Sequence, residues 1–213
     1  MESTLQKITL YDILGYLLPG SAFLILVLYG MGEEKLSVFL GQWADDQGVL
    51  YFAFFVAAYL VGIVLSEIMR WIWPVIRKLY KKRPETGLSD EEIAEALKKS
   101  GKLEGKGEIK RKVREDLDSY YMQYMYGIIQ KSEDNKRIHN YASAQVLYKN
   151  VSGALFLGAL FSIIFGHGAA IWLYAACFFM SIVFLIREAR FEQKKNKYTV
   201  IWFVEKYLGN TQP

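Results

Sequence analysis

Four runs along the chain carry no Asp, Glu, Lys or Arg: residues 13–31 (ILGYLLPGSAFLILVLYGM), 49–66 (VLYFAFFVAAYLVGIVLS), 151–165 (VSGALFLGALFSIIF) and 169–186 (AAIWLYAACFFMSIVFLI). A helix needs about 20 mostly apolar residues to cross the hydrocarbon core, within a range of about 17–25. The first, second and fourth runs reach that range. The third reaches it when Tyr148 and Asn150 sit in the headgroup layer. The pattern predicts an all-α membrane protein: four transmembrane helices with a helical cytoplasmic insert between helices 2 and 3. The first run follows Glu2, Lys7 and Asp12 and lacks a small-residue cleavage pattern. It is therefore expected to be a retained helix rather than a signal peptide.

The expected segments are 1–66 (a lead-in and helices 1 and 2), 67–150 (a cytoplasmic helical hairpin), 151–186 (helices 3 and 4) and 187–213 (a cytoplasmic amphipathic tail). The lead-in carries Ile8, Leu10, Tyr11, Leu14, Tyr16 and Leu17. Residues 67–83 extend helix 2 with Trp71, Trp73 and Tyr80 among basic residues, the composition of an interfacial belt, and Pro84 is expected to stop it. Ser89-Asp90-Glu91-Glu92 has the form of a capping box opening a helix that ends near Gly101. From Glu108, Ile109, Val113, Leu117, Tyr120, Tyr121, Tyr124 and Ile128 recur at helical spacing. A turn is expected at 131–135, followed by a helix that runs straight into the third span. The tail, with Tyr198, Val200, Ile201, Trp202, Val204, Tyr207 and Leu208, is expected to lie on the inner leaflet or pack on the hairpin.

Charge orients these elements. Residues 67–150 hold 18 cations and 13 anions, and 187–213 hold six cations and three anions, so 24 of the 26 cations lie in these two regions. The positive-inside rule places both in the cytoplasm. Four spans then put both termini inside and both short loops outside. One cysteine, Cys177, excludes an intrachain disulfide and a multi-cysteine zinc site. His139 and His167 are the only histidines, and HExxH, GxSxG and CxxC are absent. No catalytic residue, metal or cofactor is expected, and the chain is not read as an enzyme. Gly101–Gly107 (GKLEGKG) misses the phosphate-loop spacing by one residue and lacks its Ser/Thr, so it reads as a connector.

Small residues recur every fourth position at Ala58, Gly62 and Ser66 in the second span, and at Ala154, Gly158, Ser162 and Gly166 in the third. Such stripes let helices approach closely in lipid. They serve either packing within one subunit or an interface between subunits. Pro19-Gly20 interrupts the first span, where a kink or short re-entrant start is expected. Asp12, at its inner edge, is solvated, caps the helix or lines a cation path.

The insert's charges and tyrosines have two readings. In one, the tyrosines and methionines of 120–126 form the core of a solvated stalk. In the other, a basic aromatic surface meets a polyanion, with phosphates on Lys110, Arg111, Lys112, Arg114, Lys136 and Arg137 and bases stacked on Tyr120 and Tyr124. Repetition of the 110–114 cluster around a ring of subunits would focus its field.

The opening KITLYDILGYLLPGSAFLI, with YDILGYLLPG at its centre, joins four spans and a basic insert between the second and third. This layout resembles the transmembrane effectors of the bacterial Hailong anti-phage defence system. The resemblance implies a homo-oligomeric, tetrameric ion channel of the bacterial inner membrane. It also implies a cytoplasmic part that binds a short single-stranded oligodeoxyadenylate made by a partner nucleotidyltransferase. Bound DNA keeps such a channel shut, and its loss opens the channel and halts growth. The site residues named above come from this sequence and not from the family. The rival expectation is a non-catalytic membrane scaffold or accessory subunit that binds a protein through the hairpin.

Overall fold

The computed structural model describes residues 10–31, 47–78, 86–101, 120–130, 136–165 and 171–209. All regular structure among them is helical: α1 (Leu10–Met31), α2 (Gln47–Lys78), α3 (Asp90–Lys99), α4 (Tyr120–Gln130), α5 (Lys136–Phe165) and α6 (Ile171–Leu208). Three segments, Gly48–Ile76, Lys136–Ile164 and Ile171–Leu208, are long and apolar enough to cross a membrane, and Gly15–Met31 is a shorter apolar helix. The chain divides into two compact units. One comprises Met1–Tyr80 and Ser143–Ala189, the other Lys81–Ala142 and Arg190–Pro213.

The first unit is held by small residues at backbone-to-backbone range. A Cβ on Gly20 of α1 would run into the Ala58 carbonyl of α2, and one on Gly62 would run into the carbonyl of Tyr16. Ala58 itself is fully buried. Tyr16 and Tyr59 flank this crossing edge to face, centroids 6.0 Å apart. On an adjoining face of α1, Gly158 of α5 lies against Leu26 and Phe23, and a Cβ on Gly30 would meet Ser162. Ser162 Oγ donates to the Leu26 carbonyl at 2.6 Å. The small-residue stripes are thus used for packing within the chain at Ala58, Gly62, Gly158 and Ser162, with Ala154 also fully buried and Ser66 half-buried. Gly166 lies outside the described residues.

Polar side chains join the same helices. Asn150 Nδ2 donates to the Gly15 carbonyl at 3.1 Å. Ser152 and Ser181 each donate to the other's carbonyl at 2.9 Å, tying α5 to α6. In a low-dielectric setting an unmade hydrogen bond is costly, so such pairs fix helix register as well as adding stability. Leu26, Ala159, Tyr174 and Cys177 form the apolar cluster where α1, α5 and α6 meet. Cys177 is a packing residue there.

Helix α1 continues through Pro19, which is buried, so of the expected kink or short re-entrant start the re-entrant start is replaced by one continuous helix. Pro removes one amide donor, which an interior helix position tolerates when neighbouring helices pack around it. Asp12 lies within α1; its side chain is outside the described residues. Helix α2 continues beyond the apolar run to Lys78 and contains Pro74. Residues 79–85, the expected stop at Pro84 among them, lie outside the described residues. Helix α5 runs unbroken from Lys136 into the third apolar run.

The second unit has its own core. Ser89 caps α3 as expected: its amide donates to Glu92 Oε2 at 2.7 Å, and its Oγ accepts from the Glu92 amide at 3.2 Å. Gly101, at φ 75°, adopts the left-handed conformation that ends the helix. Ile93 and Leu97 of α3, Tyr121, Met122 and Met125 of α4, and Val200, Phe203 and Val204 of α6 pack together. The tail therefore continues α6 and packs on the insert's helices, the second of the two placements expected for it.

This packing sets the cost of substitutions in each unit. Gly20→Ala and Gly62→Ala each force an overpacked backbone contact, costing on the order of 1–3 kcal/mol. Gly127→Ala, where a Cβ meets nothing within 4 Å, is neutral or stabilising by about 0.5–1 kcal/mol. Thermal unfolding of the detergent-purified protein reads both signs. Phe203→Ala empties the centre of the second unit, where Phe203 is fully buried. It costs about 3–5 kcal/mol and is expected to abolish hydrogen-exchange protection in 90–99 and 120–130 while leaving that of 48–76 in place.

Candidate polyanion interface

The second unit assembles cations and aromatic rings along α5 and α6. Arg137 and Tyr141 are four residues apart on α5. Phe191, Lys194 and Tyr198 follow one another at three- and four-residue spacing on α6, so each set lies on one helix face. The Tyr141 and Tyr198 rings stack across the two helices, centroids 5.6 Å apart and 18° from parallel. Phe191 lies 5.9 Å from Tyr141 on its other flank. The Arg137 guanidinium sits 4.3 Å above the Tyr198 ring and 5.8 Å from that of Tyr141. Its Nε donates to the Tyr141 hydroxyl at 3.2 Å, and its Nη2 to the Tyr198 hydroxyl at 3.0 Å. Two N–H groups are engaged, and the rest of the donor fork remains available to an anion. Like any arginine, Arg137 stays charged; its hydrogen bond to Tyr141 and its electrostatic interaction with Tyr141 and Tyr198 raise its pKa.

Lys194 adds a second cation, its Nζ 5.9 Å from the Phe191 ring and 6.0 Å from that of Tyr141. Arg190 and Lys197 are exposed on the same side of α6, at helical spacing from Lys194. No acidic residue occurs in α5, and Glu192 of α6 is buried. Lys195 lies 5.5 Å from the Tyr126 ring. Burial raises the Tyr126 phenol's pKa, tempered by a hydrogen bond with Gln130, so this ring stays neutral. The cluster has the two components that single-stranded polyanion recognition requires: fixed cations for phosphate and aromatic faces beside them.

The ligand residues expected from sequence fall in four groups. Lys136 and Arg137 are exposed at the start of α5, and Arg137 is the centre of the cluster. Tyr120 is 54% exposed at the start of α4, edge to face with Tyr121 at 5.6 Å. Tyr124 is built into the unit: its hydroxyl donates to the Ser100 carbonyl at 3.2 Å, and its ring meets Phe203 edge to face at 6.1 Å. Lys110, Arg111, Lys112 and Arg114 lie outside the described residues. The rings that Arg137 touches, Tyr141 and Tyr198, are not among the stacking residues expected from sequence. Their signal is the four-residue spacing of 137/141 and 194/198, which puts cation and aromatic on one face. Among the described residues no group of His, Cys, Asp or Glu could hold a metal ion.

Among the described residues the regular structure is all helical, with three membrane-length apolar helices and a basic, aromatic cluster in the second unit. No protein-family model, curated protein or solved structure matches the chain.

Arg137→Ala and Lys194→Ala are each expected to weaken binding of a labelled single-stranded oligonucleotide. Each should reduce the slope of log K against log salt by about 0.7 for every phosphate that is no longer neutralised. Lys98→Ala, an exposed cation on α3, should do neither. Fluorescence anisotropy across a salt series checks this; equal losses in all three variants would reduce the cluster to net charge.

Proposed function

We propose that the chain is a homo-oligomeric transmembrane effector of bacterial anti-phage defence, an ion channel closed by a short single-stranded oligodeoxynucleotide bound to its cytoplasmic unit. The observation that carries the ligand reading is the Arg137–Tyr141–Tyr198–Lys194 cluster, in which a permanently charged guanidinium is held over an aromatic face. The sequence resemblance supplies the class of effector and the tetrameric assembly.

Four spans of an inner membrane, with both termini inside, fit the helices. Helix α1 has 22 residues, about 33 Å of rise, enough for a fourth span once its lead-in is included. On α2, exposed Tyr51 and Phe52 at one end and Trp71 at the other bracket about 30 Å of helix, the thickness of the hydrocarbon core. With the small-residue stripes used inside the chain, the exposed faces of α2 and α6 are left for lipid and for neighbouring subunits. The pore forms between subunits. The 110–114 cluster adds to the ligand's electrostatic surface. The accessory-subunit reading draws on Tyr124, Tyr121 and Met125, whose packing builds a compact unit suited to a protein partner.

Ion flux from liposomes containing the purified protein, with and without short single-stranded DNA, separates the readings. Flux suppressed by DNA in the native protein, with at least about tenfold more DNA needed for Arg137→Ala/Lys194→Ala, is the expected result. Neutralising Lys110, Arg111, Lys112 and Arg114 should likewise weaken suppression. Absence of flux from correctly inserted protein would replace the channel with the accessory subunit.

A further inference from the structure

The first unit contains a second exposed arginine on an aromatic face, and its setting differs from that of Arg137. Arg187 is the first charged residue after the uncharged run 169–186 on α6. Its guanidinium lies 5.2 Å from the centroid of Tyr148 on α5. Tyr148 in turn stacks on Phe184, centroids 5.8 Å apart and 20° from parallel. The neighbouring acid is engaged with other groups, Gln145 and Lys149. Glu188 is fully buried and accepts a hydrogen bond from Gln145 Nε2 at 2.8 Å. The Arg187 side chain is exposed. A guanidinium held over a ring keeps N–H groups free to grip two oxygens of one phosphate.

Immediately before Arg187, α6 presents Phe179, Ile182, Val183 and Ile186 as an exposed apolar strip at helical spacing. A cation at the end of an apolar strip, where a membrane-length helix gains its first charge, complements a molecule with an anionic head and a hydrocarbon tail. We propose that Arg187, stacked on Tyr148, is the headgroup site of an anionic phospholipid of the inner leaflet, with an acyl chain along the Ile182–Ile186 strip. The inference rests on α6 crossing a bilayer as read above. It does not depend on the channel or on the oligonucleotide.

The test uses the full-length protein, reconstituted into mixed phosphatidylglycerol and phosphatidylcholine vesicles, re-extracted in mild detergent and analysed by native mass spectrometry. The native protein should retain phosphatidylglycerol over phosphatidylcholine by roughly fivefold, about what one basic side chain is worth beside an anionic surface. Arg187→Ala should bring that ratio to near unity. Arg187→Lys, which keeps the charge but loses the planar fork, should fall between. Tyr148→Phe keeps the ring and should match the native protein, whereas Tyr148→Ala should lower the ratio. An unchanged ratio in Arg187→Ala would overturn the site. Displacement of the lipid by millimolar inorganic phosphate would also overturn it, in favour of a soluble anion. Protein that fails to enter vesicles would overturn the membrane reading along with the site. Inserted protein without lipid preference would overturn the site alone.

Discussion

The approach of α1 to α2 at Gly20 and Gly62 sets the terms for the rest of the first unit. In lipid there is no hydrophobic gain from pairing two apolar helices, so association rests on dispersion, close packing and hydrogen bonds. Backbone contact is available only where side chains vanish. Gly20 meets the Ala58 carbonyl and Gly62 meets that of Tyr16, and nothing larger than hydrogen fits at either position without displacement. Once α1 is seated there, an adjoining face of it receives Gly158 and Ser162 of α5. The shortest apolar helix is thus gripped on two sides. Leu65, Met69 and Trp73 of α2 are buried, whereas Phe52, Phe55 and Trp71 are left facing outward. Small residues at the closest helix crossings and exposed large apolar residues outside depart from the pattern of a water-soluble protein. A bilayer makes that arrangement stable.

Helical periodicity and end signals make most of the helices legible in the sequence. The Ser89–Glu92 box stands because both of its hydrogen bonds are local, and local bonds need no knowledge of partners. The continuity of α5 from Lys136 into the third apolar run is legible for the same reason. The use of the small-residue stripes is not. Spacing shows that Ala58, Gly62, Gly158 and Ser162 share faces; which helix covers those faces depends on tertiary packing. The structure puts another helix of the same chain against each of them. Pro19 reads in the sequence as an interruption because proline costs an isolated helix several kcal/mol, roughly three. Buried beside Gly20, it is kept helical by the packing around it.

The candidate site shows the same division between local and tertiary information. Basic residues near tyrosines are evident in the sequence, yet the pairing in the structure differs. Tyr124 lies on the apolar side of α4, so its ring goes to Phe203 and its hydroxyl to the Ser100 carbonyl. Tyr141 sits one helical turn after Arg137, on the face that meets Tyr198. Those two tyrosines are separated by 57 positions in sequence. No window-based pattern joins them; the side-by-side packing of α5 and α6 within the second unit does.

The Arg137 contacts also bear on how a ligand would be bound. The guanidinium is oriented by two hydroxyls and a ring before any anion arrives. Ordering a free arginine on binding costs about 0.5–1.5 kcal/mol of side-chain freedom. Here that ordering is already met by contacts that also clamp α5 to α6. The same contacts limit the tyrosines: with Tyr141 and Tyr198 stacked on each other, neither ring offers two open faces for intercalation. A polyanion bound as proposed would therefore be held chiefly through its phosphates, with bases meeting ring edges or the outer face of the stack. Recognition of that kind is weakly selective among bases and strongly dependent on salt. In the proposed oligomer any preference for one base would then have to come from residues beyond the cluster, and repetition of the cluster would raise affinity more than it would sharpen sequence choice.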